Sequence, residues 1–282
     1  MSMTLPQAKS VKPAAVARYA ACVLVAAIVV VPLVLAVLSG FRTNPRLVAQ
    51  PVAWPNPFIS TNYTDILASP AFWQQIFNSV LVMLLTTVLV LSLSSAAAYV
   101  IARMQFRGKE PLFNFFTLGL LVPLPVAILP LYLLLRQMGL VDSLWGVILP
   151  QAAFELPFTI LLLRSFFIAI PRDLEDAAYV DGAGPLEFLL RILLPLVRPA
   201  LAAVAVLTMV TSWNKFFLPL VVLNSENLWT LPLGVTQFQG QYLTDWARVL
   251  AYVSLALVPA IAFYLVAERQ IVAGLTTGSV NG

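Results

Sequence analysis

Arg18-Tyr-Ala-Ala-Cys-Val-Leu-Val-Ala-Ala-Ile-Val-Val-Val-Pro-Leu-Val-Leu-Ala-Val-Leu38 carries no charge after its first residue. An α-helix rises about 1.5 Å per residue, so a run of about 20 apolar residues covers roughly 30 Å of bilayer hydrocarbon. The run is longer than the 7–15 residues or so of a signal-peptide core, and no small-x-small cleavage site follows Leu38, so it reads as a retained span. Comparable runs recur at about 78–101, 113–135, 144–167, 199–223 and 249–266. The expected fold is an all-α membrane protein of about six transmembrane helices, with a transmembrane domain over 18–267 and short tails at 1–17 and 268–282.

Composition agrees. Hydrophobic residues make up 61% of the 282 and charged residues 10%, against roughly 25% charged in a soluble domain. There is no histidine, and the single cysteine, Cys22, lies inside the first run. Neither a metal cluster nor a disulfide framework can be assembled from these ligands, and no metal or cofactor is expected. The pI of 9.4 raises nucleic acid as a partner, but the 16 basic residues are spread between spans and form no basic face.

Those residues read instead as topology signals, because Lys and Arg are retained in cytoplasmic loops. With the N-terminus inside, Lys9, Lys12, Arg18, Arg103, Arg107, Lys109, Arg164, Arg172, Arg191, Arg198 and Arg269 share one side. Arg42, Arg46, Arg136, Lys215 and Arg248 take the other, which places both termini and the 165–198 segment in the cytoplasm. Residues 39–71 form a polar, proline-rich outer loop, with Trp73 beyond it as an interfacial anchor. Prolines at 123, 125, 130, 150, 157, 219 and 259 interrupt the later spans, and freed carbonyls are tolerated in lipid only beside protein or a wet cavity.

The most informative loop is 171–198. Pro171-Arg-Asp-Leu-Glu-Asp-Ala-Ala-Tyr-Val-Asp-Gly-Ala-Gly-Pro185 predicts a helix over Leu174–Asp181. Asp173 is suited to its N-cap, Glu175 and Asp176 to its first turn, and Gly182 to its left-handed end, with Pro185 barring resumption nearby. Such a helix, about 12 Å long, falls below the roughly 12–15 residues at which isolated helices become marginal, so it must dock. Leu174, Ala177 and Ala178 share one face, and Tyr179 and Val180 add apolar contact. Downstream, Leu186, Leu189, Leu190 and Leu193 form a stripe, and Glu187 precedes Arg191 by four residues.

Asp176-Ala-Ala178, Gly182 and Ile192-Leu-Leu-Pro195 resemble the loop signature of binding-protein-dependent ABC importer membrane subunits: Glu-Ala-Ala, three residues, Gly, nine residues, Ile-x-Leu-Pro. The fuller run from Leu174 to Ala183 and from Ile192 to Leu201 resembles the carbohydrate branch, of maltose-permease type. The resemblance extends through Trp213–Leu223 and the ending Val272–Gly282. It implies a non-enzymatic permease in the bacterial inner membrane, partnered by a homologous second permease, two cytosolic ATPase subunits and an extracytoplasmic sugar-binding protein. It also implies that Leu174, Glu175, Asp176, Ala177, Ala178, Tyr179, Asp181, Gly182 and Ala183 seat in a groove of the ATPase. Asp176 stands where the signature has Glu, and Lys215 where similar permeases often carry an acid.

No G-x-x-x-x-G-K-[ST] loop occurs, so nucleotide hydrolysis falls to a partner. Within the spans, Gln151 and Glu155 lie one helical turn apart, and Trp213, Asn214 and Lys215 offer donors and an aromatic platform suited to a sugar. An ionisable group in hydrocarbon needs a partner or water, so Glu155 and Lys215 are candidates to pair along the substrate path, with interhelical bonding without substrate contact as the alternative. In the outer loop, Gln237, Gln239, Gln241 and Tyr242 are binding-protein contact candidates by the same resemblance. A self-sufficient secondary transporter would call for inverted repeats, and none is evident. A mono- or disaccharide, a longer oligosaccharide and glycerol 3-phosphate all fit as cargo.

Overall fold

A computed structural model describes the backbone of residues 13–240 and 242–277, with side chains over 18–240 and 242–265. Lys9, Lys12, Gln241 and residues 278–282 lie outside the described residues. Among the described residues the regular structure is helical, apart from one bridge between Gln239 and Thr244. The helices are α1 (Pro13–Gly40), α2 (Asn44–Ala49), α3 (Thr61–Ala68), α4 (Pro70–Arg103), α5 (Lys109–Leu118), α6 (Leu124–Gln137) and α7 (Trp145–Ala169). They continue as α8 (Asp173–Val180), α9 (Pro185–Phe188), α10 (Leu194–Leu196), α11 (Arg198–Trp213), α12 (Phe217–Val222), α13 (Leu231–Gly234) and α14 (Trp246–Thr277).

Four stretches are single helices long and apolar enough to cross a membrane: Arg18–Gly40, Pro70–Arg103, Trp145–Ala169 and Trp246–Leu265. Among the described residues two bent pairs, Lys109–Leu121 with Leu124–Gln137 at 102° and Pro185–Leu196 with Arg198–Trp213 at 81°, bring the number to six where each pair counts as one span. The span expected over 113–135, with its proline interruptions, takes the form of a bent pair. Val122 is extended at the bend, as Pro123 demands of the residue before it. The expected span over 199–223 is corrected, since α11 ends at Trp213 and α12 begins only at Phe217. Pro219 supplies the reason, because in a continuous helix its ring would clash with the carbonyl of Lys215. Residues 39–71, expected as an ordered loop, contain α2 and α3.

The chain divides into two compact units, one formed by the stretch up to Ile66 with Phe238–Leu255, the other by Leu67–Gln237 with the stretch from Ala256 onward. In the first, the buried Arg42 guanidinium donates to the carbonyls of Arg46 at 3.0 Å and Gln50 at 2.6 Å, closing the end of α2. Asn62 donates to the carbonyls of Gly40 and Arg42 at 2.8 and 2.9 Å.

The second unit is built on α4, α7 and α11, with apolar clusters toward the two ends of α4. Ala98, Tyr99 and Ala102 of α4 pack with Leu163 and Phe167 of α7, Val204 of α11 and Phe188. Val82 packs with Leu135, Val147, Ile148, Leu218 and Val222. Sixteen residues separate Val82 from Ala98, roughly 24 Å of helix. Between them runs a buried polar belt: Thr86, Thr87 and Ser94 of α4, Gln151 and Thr159 of α7, and Thr208 and Ser212 of α11.

Candidate functional site

The helix expected over Leu174–Asp181 is observed one residue earlier, as α8 over Asp173–Val180. Asp173 is its first residue rather than its cap. The cap position belongs to Arg172, without a side-chain hydrogen bond. Asp173, Glu175 and Asp176 all fall in the first turn, where the exposed N–H groups favour negative charge. At the other end the backbone N–H of Gly182 bonds Tyr179 O at 3.1 Å and that of Ala183 bonds Ala178 O at 2.9 Å. With φ of +87° at Gly182, this is a Schellman closure. Pro185 does not delay the chain's return to helix. It opens α9, where its missing N–H has no intrahelical partner to lose.

The docking face differs from the expected one. Of Leu174, Ala177 and Ala178, only Ala178 is buried. The helix instead turns Glu175 and Ala178 toward its own chain. Glu175 sits 3.6 Å from Arg103, the last residue of α4, and their side chains are 12% and 2% exposed. Arg103 also donates to the Ile170 carbonyl at 2.7 Å, just past α7. The Tyr179 hydroxyl donates to Glu175 at 3.0 Å and lies 3.5 Å from the Tyr99 hydroxyl. Those contacts with Tyr99 and Glu175, together with partial burial, push the Tyr179 phenol well above its usual range. The buried Phe188 ring lies 6.3 Å from Tyr99 and 6.2 Å from Tyr179. Outward, α8 exposes Leu174, Asp176, Ala177 and Val180, with Asp181 and Gly182 exposed beyond its end. In the downstream stripe Leu189 and Leu193 are buried while Leu186 and Leu190 are exposed, and Glu187 pairs with Arg191. A π-helical turn over Leu189–Leu193 splits the stripe between two directions.

In the polar belt, Lys215 Nζ lies 3.6 Å from Glu155 Oε1, with side-chain exposures of 28% and 17%. Gln151, one turn away and 2% exposed, accepts from the Ser212 hydroxyl at 2.6 Å. Its amide nitrogen is buried without a partner. Trp213 is half-buried, and exposed Asn214 turns its amide back to the Val210 carbonyl at 2.8 Å. Three of the five path candidates therefore enter direct polar pairs with other side chains or are joined to each other: Glu155 with Lys215, and Gln151 with Ser212. Gly119 presses toward this part of α7, since a Cβ there would fall 2.8 Å from the Pro157 ring.

In the 224–246 segment, Gln237 is exposed in the turn ending at Phe238. Gln239 and Tyr242 are exposed in a tight turn closed by the Gly240 N–H to Leu243 O bond at 3.0 Å. Tyr242, at 92% exposure, buries almost nothing in its own unit.

Two features had gone unread. Arg103 and Tyr99 had only a location, at the end of a span, to single them out. Asp142, with φ of +57°, accepts from the N–H groups of Asn224 at 2.9 Å and Ser225 at 2.8 Å and from the Ser225 hydroxyl at 2.5 Å. These bonds hold its carboxyl below the usual carboxylate range, and its own N–H donates to Val222 O at 2.8 Å. The turn before α7 is thereby fastened to the end of α12.

Residues 89–272 match the family described as "Binding-protein-dependent transport system inner membrane component". The chain belongs to that family of ABC-transporter permeases. Its relatives include the probable ABC transporter permease protein YurM of Bacillus subtilis, 34% identical over 89% of this chain and 83% of that one. Another is the diacetylchitobiose uptake system permease protein NgcG of Streptomyces coelicolor, 32% identical over 93% and 87%. Among solved structures, a bacterial ABC transporter involved in import of the acidic polysaccharide alginate superposes with a TM-score of 0.78 at 21% identity, covering 94% of this chain and 99% of that one. This likeness extends the fold across the permease, including stretches outside residues 89–272.

Proposed function

We propose that this permease is one of two membrane subunits of an ATP-driven importer of carbohydrate, fed by an external binding protein and driven by cytosolic ATPases that dock on α8. The observation that carries the reading is the two-sidedness of α8. A helix of eight residues is too short to hold itself, its inner side is fixed to Arg103, and its outer side leaves Leu174, Asp176, Ala177 and Val180 uncovered. Small and apolar residues flanked by exposed acids, Asp173 and Asp181 beside Asp176, are a surface on which another protein's groove closes. Because Glu175 is turned inward, the acids available to a basic group of the ATPase are Asp173, Asp176 and Asp181, of which Asp176 stands at the signature position with its shorter reach.

In this reading the termini and α8 are cytoplasmic, and the 224–246 loop faces the binding protein, offering Gln237, Gln239, Gln241 and Tyr242. Glu155, Lys215, Gln151, Trp213 and Asn214 line the path between. Carbohydrate as the cargo class follows from the relatives, whose names include a diacetylchitobiose and an arabinooligosaccharide system.

The topology is tested with Cys22→Ala/Ala177→Cys in membrane vesicles. A membrane-impermeant maleimide is expected to label Ala177→Cys only where the cytoplasmic face is exposed, and to be blocked once the ATPase is bound. Labelling from the outer face of intact spheroplasts would overturn the reading.

A further inference from the structure

We propose that Arg103 is the positioning residue through which movement of α8 enters the membrane helices. This rests on α8 being the ATPase-docking helix. Docking alone does not move a span, because the backbone joining α8 to α7 is a short connection, Ile170–Arg172, and polypeptide links bend at φ and ψ. Force passes where side chains are locked. At α8 the polar lock is Arg103, set beside the packing of Ala178 against Ala98, Tyr99 and Phe167.

Its guanidinium joins three elements at one point. The residue ends α4, it donates to the carbonyl of Ile170 at the end of α7, and it faces Glu175 of α8 at 3.6 Å. The side chain is 2% exposed, so water does not screen these contacts as it does a surface pair. A planar fork of donors can serve a carbonyl and a carboxylate together, which a lysine cannot reproduce. The Tyr179 hydroxyl then extends the chain of polar contacts from Glu175 to Tyr99, one helical turn before Arg103 on α4. Phe188 closes the space beneath both tyrosines and brings α9 into the same block.

The consequence is mechanical. The ends of α4 and α7 and the whole of α8 shift together when the outer face of α8 is pulled or pushed. Loosening the lock leaves ATPase docking intact, because Leu174, Asp176, Ala177 and Val180 are untouched and Tyr179→Phe keeps the exposed ring, yet lets α8 move without the spans. Hydrolysis then continues while transport falls.

The experiment uses the complete importer reconstituted in proteoliposomes, with ATP hydrolysis and uptake measured on the same preparation and complex assembly checked by copurification. Arg103→Lys, Glu175→Gln and Tyr179→Phe are expected to assemble and hydrolyse ATP but to lower substrate moved per ATP about tenfold for the first two, within the range of coupling between sites. Tyr179→Phe keeps the ion pair and is expected to lose severalfold. The exchange Arg103→Glu with Glu175→Arg is expected to recover part of the ratio, which restored folding alone would not do. Val180→Asp, on the outer face, serves as the contrasting variant and is expected to block assembly. If the three inner variants assemble and keep the wild-type ratio, the proposal fails while docking stands. If Val180→Asp assembles and works normally, the docking reading itself fails.

Discussion

Removing either charge of the Glu155–Lys215 pair has a calculable consequence. At 3.6 Å two unit charges attract by about 4–5 kcal/mol at an effective dielectric of about 20. Desolvation takes back most of this, and the 17% and 28% exposures admit some water, so a net coupling of about 1–2 kcal/mol is expected. Lys215→Met strands a carboxylate inside a span and is expected to cost about 2 kcal/mol, reduced for exposure from the 3–5 typical of a broken buried pair. Glu155→Gln strands the ammonium at similar cost. The double variant removes both charges and is expected to be more stable than the sum of the two losses by the coupling energy. The assay is a double-mutant cycle on chaotrope unfolding of the purified complex, with uptake measured alongside. Losses that add to within about 0.5 kcal/mol would show that the pair contributes nothing to stability. Single variants that transport at the wild-type rate would refute its place on the path.

Other positions give equally definite expectations. A Cβ at Gly146 would lie 2.1 Å from the Leu140 carbonyl oxygen, and a backbone atom cannot swing aside. Gly146→Ala is therefore expected to lower stability by about 1–3 kcal/mol, while Gly184→Ala, with open space around it, stays within about 0.5 kcal/mol of the parent in the same melts. Asp142 has a folded pKa below the ordinary carboxylate value, so its ionised form favours the fold above that value, and the benefit disappears as pH falls through the folded pKa. Thermal unfolding is expected to separate wild type from Asp142→Asn at neutral pH and to bring them together only once the pH has fallen below the folded pKa of Asp142. A gap that persists there would mean the hydrogen bonds do not depend on the charge.

The helical membrane fold was legible because hydrocarbon imposes a single rule, a long apolar run, and α1, α4, α7 and α14 obey it. The breaks were only half legible. Pro123 and Pro125 announced an interruption, but not a 102° bend. Pro219 acts backward on Lys215, so an apolar run counted forward from Pro199 passes through the real end of α11. At α8, spacing alone groups Leu174 with Ala177 and Ala178 on one face, whereas only Ala178 is buried. The acid that turns inward does so for Arg103, 72 positions earlier in the chain. Local periodicity carries no sign of such a partner. The polar pairs of the belt were more accessible, since Glu155 and Lys215 are charges inside apolar runs, and each needs an answering group.

The most direct test is energised uptake. Proteoliposomes containing this permease, its sister subunit and the ATPase, with loaded binding protein outside and ATP inside, are expected to accumulate the labelled carbohydrate that the binding protein carries. Accumulation is expected to stop when the ATPase or the binding protein is omitted. Equal accumulation by the permease alone, without nucleotide, would contradict the account.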